Sequence, residues 1–124
     1  MLKVNEVAFF CYPVTDIVRA RSFYEDILGF KPAMVVEKPG MTWVEYEIGP
    51  FTLSIGTAPG WAPSTEGANI ALEVENFETS LAYLREKHVI FSMEPIETPV
   101  CHMAIICDPD GSRIIIHKRK PGHS

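Results

Sequence analysis

The chain has 124 residues, of which 47% are hydrophobic and 10% aromatic, so it is long enough to form one domain around an extensive core. Its formal net charge of −5 argues against a nucleic-acid-binding surface, which is normally basic. No apolar run is long enough to cross a membrane, and early polar residues make the N-terminus unlike a signal peptide. Three cysteines without a closely spaced pair favour reduced thiols, and we therefore expect a cytoplasmic location.

The first half of the chain has the pattern of one strand, one helix and three further strands. Residues 7–14 are rich in aromatic and β-branched residues and predict the first strand. Asp16 is typical of a helix cap, apolar residues follow at helical spacing over 17–28, and Gly29 predicts the end of the helix. Three further strands are predicted, at 33–36, 42–48 and 51–56.

The same order of elements restarts in the second half of the chain. Residues 68–74 predict a strand, and Asn76 is typical of a second helix cap. Apolar residues at helical spacing then continue until the helix ends near His88. Three strands are again predicted, near 89–93, 103–107 and 112–118.

The two halves align with a single offset. Three matching pairs are each separated by 60 residues: Val14 and Val74, Asp16 and Asn76, and Phe23 and Tyr83. We therefore predict an α+β fold in which a βαβββ module occurs twice within one domain, 1–124. Module one spans about 4–56, a Pro/Gly-rich linker about 57–67, module two about 68–118, and a basic tail 119–124.

Alternating side chains give each strand a face that packs on the helix and a face that looks away from it. We assign the more apolar face to the helix. The residues expected on the opposite face are Phe9, Cys11, Pro13, Trp43, Glu45, Glu47, Asn69, Ala71, Glu73, Cys101, Met103, Ile105, Arg113, Ile115 and His117. Apolar groups mixed with a few polar ones are typical of a ligand pocket.

Several of these residues also have an ordinary structural interpretation. His117 lies beside a basic tail and is compatible with simple solvation. Glu45 is compatible with an exposed strand edge, and Arg113 with the surface unless it pairs with Glu73 or a ligand anion. Trp61 is compatible with packing inside the linker. The two candidates for aromatic pocket walls are Trp43 and Trp61.

RSFYEDILGF at 21–30 ends the first predicted helix, and DPDGSRIII at 108–116 forms the last predicted hairpin. Both segments resemble signatures of the vicinal oxygen chelate superfamily, which includes glyoxalase I, bleomycin-resistance proteins and extradiol dioxygenases. The resemblance implies eight strands that curl into an open, barrel-like sheet, with helices outside and a ligand cleft inside. It implies that dimers are common, and it leaves open whether modules pair within one chain or are exchanged between chains.

Metal-dependent members of this superfamily hold Zn, Ni, Fe or Mn with four His, Gln or Glu ligands, two from each module. The resemblance places these positions at Phe9, at Ser54 or a neighbouring residue, at Asn69 and at Ile115. Phe and Ile have no donor atom, and Ser and Asn are poor ligands for a catalytic transition metal. We therefore expect neither a metal nor another cofactor.

The expected function is metal-free binding of a small apolar or aromatic molecule by a homodimer, without a nucleic-acid or membrane partner. The predicted ligand-binding residues are Phe9, Cys11, Trp43, Glu45, Ser54, Asn69, Glu73, Met103, Arg113, Ile115 and His117; no catalytic residue is assigned. The alternative is a metal-dependent enzyme, either a glyoxalase-like lyase or a dioxygenase, with displaced ligands. Three converging His or carboxylate groups would support that alternative.

Overall fold

The computed structural model describes residues 3, 5–67 and 69–122, which form eight strands and two helices. The chain divides into two compact units, Met1–Pro63 and Ser64–Ser124, and each has the element order βαβββ. The predicted α+β fold class is therefore confirmed. In the described part of the chain, no helix is long and apolar enough to cross a membrane.

The first unit contains one helical stretch and one four-stranded sheet. Its elements are β1 (Phe10–Pro13), α1 (Ile17–Arg21), β2 (Pro32–Lys38), β3 (Met41–Ile48) and β4 (Phe51–Thr57). The strand order is β1-β4-β3-β2, with β1 parallel to β4 and the other pairs antiparallel. The helix continues past α1 as a π-helical segment, Ser22–Ile27, which the sequence pattern did not predict. Gly29, with φ of 81°, follows its end as expected.

The second unit repeats this arrangement. Its elements are β5 (Ile70–Glu73), α2 (Phe77–Glu86), β6 (Ile90–Glu97), β7 (Cys101–Cys107) and β8 (Arg113–Arg119). The strand order β5-β8-β7-β6 matches that of the first unit, and β5 is parallel to β8. The eight strands thus form two four-stranded sheets. Val4, Ala68 and residues 123–124, at predicted ends of the modules and the tail, lie outside the described residues.

Both helices begin with the cap that the sequence predicts. Asp16 has φ of −131° and ψ of 107°, and its Oδ1 accepts from the backbone N–H of Arg19 at 3.1 Å. Asn76 has nearly the same backbone conformation, and its Oδ1 accepts from the N–H of Thr79 at 3.0 Å. Each side chain satisfies one otherwise unpaired N–H of the first turn, so the sequence repeat is also a structural repeat.

The aromatic pair of the repeat is not equivalent in burial. Phe23 is 5% exposed and packs edge-on against Tyr24, with 5.1 Å between ring centroids. Tyr83 is 40% exposed, and the ammonium of Lys87 lies 5.8 Å from its ring centroid. The second helix buries Leu81 and Leu84 instead, so Tyr83 marks its solvent-facing side.

The core of each unit lies between its helix and the helix-facing side of its sheet. In β3, Val44 and Tyr46 are fully buried, whereas Trp43 and Glu45 on the other face are half-buried. The buried strand residues on the helix-facing sides of the two units include Val44, Tyr46, Leu53 and Ile55, and Ala104, Ile106, Ile114 and Ile116. The period-two burial in β3 and β8 agrees with the predicted faces, whereas in β4 Ser54 and Gly56 on the other face are buried as well.

The Glu25 carboxylate connects the π-helical segment to the first sheet through a hydrogen bond. Glu25 Oε2 accepts from Arg21 Nε at 2.6 Å and from the Tyr46 hydroxyl at 2.9 Å. The adjacent Arg21 guanidinium holds the pKa of the Glu25 carboxyl below its usual value. Burial and the neighbouring carboxylate raise the pKa of Tyr46, so this residue remains a hydrogen-bond donor.

Candidate functional site

Three aromatic rings form a cluster on the face of the first sheet that looks away from the helix. The ring centroids of Phe9 and Trp43 are 5.3 Å apart with an interplanar angle of 84°, and those of Trp43 and Trp61 are 5.9 Å apart at 67°. Phe9 is 46% and Trp61 45% exposed. We call Phe9, Trp43 and Trp61 the aromatic cluster. It offers a large accessible apolar surface whose rings are held by edge-to-face contacts.

The position of Phe9 corrects one detail of the sequence prediction. Phe9 was assigned to the first strand, but it lies immediately before β1, which begins at Phe10. Its ring nevertheless contacts Trp43, as expected for that face. Trp61, in the predicted linker, also packs on Trp43. This contact agrees both with packing inside the linker and with the predicted aromatic wall.

Gly56 makes room for the two indoles. It pairs with Trp43 in the β3–β4 register, and a Cβ built on it would lie 3.0 Å from Trp43 Cε3 and 3.4 Å from Trp61 Cζ3. Any larger residue would push the rings away from the strand. Gly56 is not among the residues that the sequence predicts for the site, although a glycine inside a strand pattern often marks a close approach of other groups to the backbone.

Glu45 fixes the orientation of the central ring. Trp43 Nε1 donates to Glu45 Oε2 at 2.8 Å. The two residues are two positions apart in β3 and therefore share a face. Glu45 is half-buried rather than on an exposed edge, so this face combines aromatic rings with a carboxylate that binds the central ring.

Beside the aromatic cluster, two neutral side chains lie in one row with the Glu45 carboxylate. Cys11, Ser54 and Glu45 form one row across β1, β4 and β3. Ser54 is fully buried, and its Oγ donates to the carbonyl oxygen of Phe10 at 3.1 Å. Burial raises the pKa of the Cys11 thiol, only partly offset by its hydrogen bond with Ser54, so the thiol is protonated and behaves as a small apolar group.

The second unit carries a hydrogen-bonded histidine on the corresponding face. His117 Nδ1 lies 2.6 Å from Glu73 Oε1, and the backbone N–H of Arg119 donates to Glu73 Oε2 at 2.8 Å. Burial alone would raise the pKa of the Glu73 carboxyl, but the hydrogen bonds from Arg119 and His117 hold it below its usual value. His117 is therefore held in place rather than simply solvated.

The remaining predicted residues of this unit lie around that pair or at its borders. Met103 is the register partner of His117 on β7, and Ile115, like Met103, is half-buried. Arg113 pairs with Glu66, with 3.8 Å between Nη2 and Oε1, rather than with Glu73. Asn69, predicted within the fifth strand, is exposed and lies just before β5.

The residues at the four family metal positions do not fit a catalytic metal. Phe9 and Ile115 offer only hydrocarbon, and the Ser54 hydroxyl already donates to a carbonyl oxygen. Asn69 offers a neutral amide. Among residues 3, 5–67 and 69–122, no group of three or more His, Cys, Asp or Glu side chains is arranged to hold a metal ion.

A separate groove lies on the helix side of the second unit. It has a volume of about 560 Å³ and runs between α2 and β6, with Phe77, Leu81, Ile96 and His102 among its lining residues. The rings of Phe77 and His102 are 5.6 Å apart. None of the predicted ligand-binding residues lines this groove, so it is distinct from the candidate site.

Solved structures similar to this chain share its fold over nearly its whole length. TnmS3, an antibiotic binding protein from Streptomyces sp. CB03234, superposes with a TM-score of 0.81 at 22% identity and covers 97% of this chain and 100% of its own. The trypanothione-dependent glyoxalase I of Leishmania major gives a TM-score of 0.77 at 25% identity, with 93% and 87% covered. A superfamily member from Sphaerobacter thermophilus DSM 20745 gives 0.75 at 22% identity, with 94% and 99% covered.

Comparison at the sequence level gives the family. No curated protein sequence matches the chain. The family model of the Glyoxalase/Bleomycin resistance protein/Dioxygenase superfamily matches residues 3–116, which include both modules and both segments that carry the resemblance. The chain therefore belongs to the Glyoxalase/Bleomycin resistance protein/Dioxygenase superfamily, as its sequence predicts.

Proposed function

We propose that this protein binds a small apolar or aromatic molecule, without a metal, on the sheet faces that turn away from its helices. The observation that carries the proposal is the aromatic cluster. Two of its three rings are nearly half exposed, although burying them against the core would remove more apolar surface from water. Exposed aromatic rings in mutual contact are typical of a binding surface.

The groups around the cluster suit an aromatic ligand that is uncharged or positively charged. Glu45 places a carboxylate beside the rings, and the net charge of the chain is −5. Cations are attracted to the faces of aromatic rings, most strongly to Trp, whereas an anion would be repelled by Glu45. The Cys11 thiol is neutral and the Ser54 hydroxyl is already hydrogen-bonded, so apolar groups of a ligand can pack against both side chains.

The proposal includes a cytoplasmic location and a homodimeric assembly. Among the described residues the three cysteines Cys11, Cys101 and Cys107 are free thiols, which suits a reducing compartment. Each four-stranded sheet has open edges, and Met34 and Val35 are exposed on the edge strand β2. Covering such an edge with a second copy removes both its unpaired backbone groups and its apolar side chains from water.

The central ring of the cluster provides the direct test. Trp43 and Trp61 are the two tryptophans of the chain, so intrinsic fluorescence reports on the site. We expect N-phenyl-1-naphthylamine, an apolar aromatic probe, to quench this fluorescence on binding. Trp43→Leu removes the ring that contacts both others and should weaken binding about tenfold or more. The probe's own emission measures affinity in both proteins.

Phe51→Leu is the matched control for that substitution. Phe51 is 53% exposed, but it contacts Phe10 and belongs to the alternation of β4 that faces the helix. Its loss should leave the affinity for the probe unchanged. Equal affinity in the wild type and the Trp43 variant would refute binding at the aromatic cluster.

Gly56→Ala tests the same site while keeping every ring. The added Cβ would meet Trp43 Cε3 at 3.0 Å, so the indole must move and the affinity should fall. Gly67→Ala is the control, since the nearest side-chain atom to its new Cβ is 3.9 Å away. Wild-type affinity in the Gly56 variant would mean that the position of the rings does not matter for binding.

A further inference from the structure

The Glu73–His117 pair is a feature that binding at the aromatic cluster does not explain. Both residues lie in the second unit, on adjacent paired strands, and their side chains meet at 2.6 Å. The Glu73 carboxylate is also held by the backbone N–H of Arg119. Arg119 contributes its guanidinium as well, with Nη1 3.7 Å from Glu73 Oε1. The carboxylate is thus fixed from two directions, and it fixes the imidazole in turn.

This arrangement determines which nitrogen of His117 carries the hydrogen. The pKa of Glu73 lies below its usual value, so near neutral pH its carboxylate is ionised and only accepts hydrogen bonds. His117 Nδ1 must therefore donate. In a neutral imidazole the other nitrogen, Nε2, then carries the lone pair and is an acceptor. Within the described part of the chain, Nε2 has no hydrogen-bond partner.

On its face of the sheet, His117 lies at the border between the charged groups of Glu73 and Arg119 and an apolar surface. Met103 faces it from β7, and Ile115 is two positions earlier on the same face of β8. The register continues from Ile115 to Ala71 on one side and Ile105 on the other. A single oriented acceptor at the border of a hydrocarbon surface is the usual composition of a site that recognises one polar group on an apolar ligand.

We propose that the Glu73–His117 pair recognises a hydroxyl group on an aromatic ligand, with the hydroxyl donating to His117 Nε2 and the ring lying on the adjacent apolar face. Glu73 is a positioning residue, because it selects the tautomer and does not touch the ligand. This inference rests on the proposed function, binding on the sheet faces that turn away from the helices, and it names an aromatic alcohol of the phenol class as the ligand of the second unit.

Two probes of nearly the same shape test this inference. 2-Naphthol carries the hydroxyl hydrogen, and 2-methoxynaphthalene replaces it with a methyl group. The measurements are made at about pH 8, where a phenolic hydroxyl keeps its hydrogen. Isothermal titration calorimetry gives the affinity of each probe. We expect the wild type to prefer 2-naphthol by about three- to tenfold, the contribution of one neutral hydrogen bond.

His117→Asn separates recognition from structure. The Asn amide nitrogen takes the place of Nδ1 and can still donate to Glu73, but no atom replaces Nε2. The preference for 2-naphthol should disappear while the melting temperature changes little. His88→Asn is the matched control, since His88 is exposed after α2 and its φ of 60° suits Asn. It should keep the wild-type preference.

Glu73→Gln tests the positioning role. The Gln amide can donate to Nδ1, which permits the tautomer with hydrogen on Nε2, and that tautomer donates to the ether oxygen instead of accepting from a hydroxyl. The preference for 2-naphthol should therefore shrink, while the affinity for 2-methoxynaphthalene should stay the same or rise. Equal binding of both probes to the wild type would overturn the role of the pair and leave the proposed function standing. Failure of both naphthalene probes to bind would also overturn that role, whereas the proposed function is tested separately by the binding of N-phenyl-1-naphthylamine.

Discussion

At the scale of single residues, the candidate site depends on contacts that alternation alone does not specify. The sequence predicts that Trp43 and Glu45 share a face, because they are two positions apart in a strand. It does not predict that the indole N–H is bound by the carboxylate, or that Trp61 packs on Trp43. Those contacts depend on side-chain rotamers and on a linker conformation that has no sequence periodicity. The sequence thus predicts the face that Trp43 and Glu45 share, but not the contacts that their side chains make.

Metal content is the prediction that belongs to this scale. We expect protein purified without an affinity tag to contain no stoichiometric Zn, Ni, Fe or Mn, because Phe9 and Ile115 replace ligand atoms with hydrocarbon. Apolar groups at these positions also disfavour a bare divalent charge. Elemental analysis by mass spectrometry measures this directly. One metal ion per chain that is lost on substituting Glu45 or His117 would support the enzyme alternative instead.

At the scale of secondary structure, the sequence predicted every strand and both helices but not the π-helical segment. Local signals account for the successes: Asp16 and Asn76 cap the helices, and glycine ends the first one. The π-helical turn instead brings Glu25 to Tyr46, 21 residues further along the chain, and such a tertiary contact has no local signature. Apolar periodicity at three- and four-residue steps does not distinguish it from an ordinary helix.

The Glu25 contact makes stability depend on pH. The folded-state pKa of Glu25 is lowered, chiefly by Arg21. The stability that this carboxylate contributes is therefore present above its unfolded-state pKa near 4.5, and it is lost as the pH falls through the lower folded-state pKa. Glu25→Gln should reduce the free energy of unfolding at neutral pH by about 1–3 kcal/mol, the range for a hydrogen bond to a charged group. Urea unfolding over a series of pH values measures both effects.

The control for this prediction is Asp26→Asn. Asp26 is the exposed neighbour in the same π-helical segment, so its replacement removes one negative charge without removing the Tyr46 contact. The acid-induced loss of stability should be smaller in the Glu25 variant than in both the wild type and the Asp26 variant. Parallel curves for all three proteins would show that Glu25 does not stabilise the fold through its charge.

The last hairpin depends on one glycine. Gly111 has φ of 87°, and its N–H donates to the carbonyl oxygen of Asp108 at 2.9 Å, while Asp108 Oδ1 accepts from the N–H of Ser112 at 2.8 Å. A Cβ there would also meet Thr65 Cγ2 at 3.2 Å. Gly111→Val should destabilise the protein by about 1 kcal/mol or more, because a β-branched residue resists positive φ. An unchanged melting temperature would contradict this account of the turn.

At the scale of the whole molecule, the repeat gives two βαβββ units that differ on the sheet faces that turn away from their helices. The helix-facing sides remain alike in their burial, because each must exclude water from a core between helix and sheet. The other faces differ: the first carries the aromatic cluster, and the second carries the Glu73–His117 pair on an apolar surface. Such divergence is expected, because packing constrains only the helix-facing side of each unit.

Assembly is the prediction for the whole molecule. The sheet orders leave β1 and β2 at the edges of one sheet and β5 and β6 at the edges of the other. On β6, Ile90 is 70% and Ile96 44% exposed, and an edge strand with such apolar side chains is stabilised by pairing or by cover. We therefore expect a homodimer, with a mass about twice the 13.9 kDa of one chain in light scattering at micromolar concentration. A mass equal to that of one chain would refute this assembly, whereas a mass that falls from two chains to one on dilution would measure its dissociation constant.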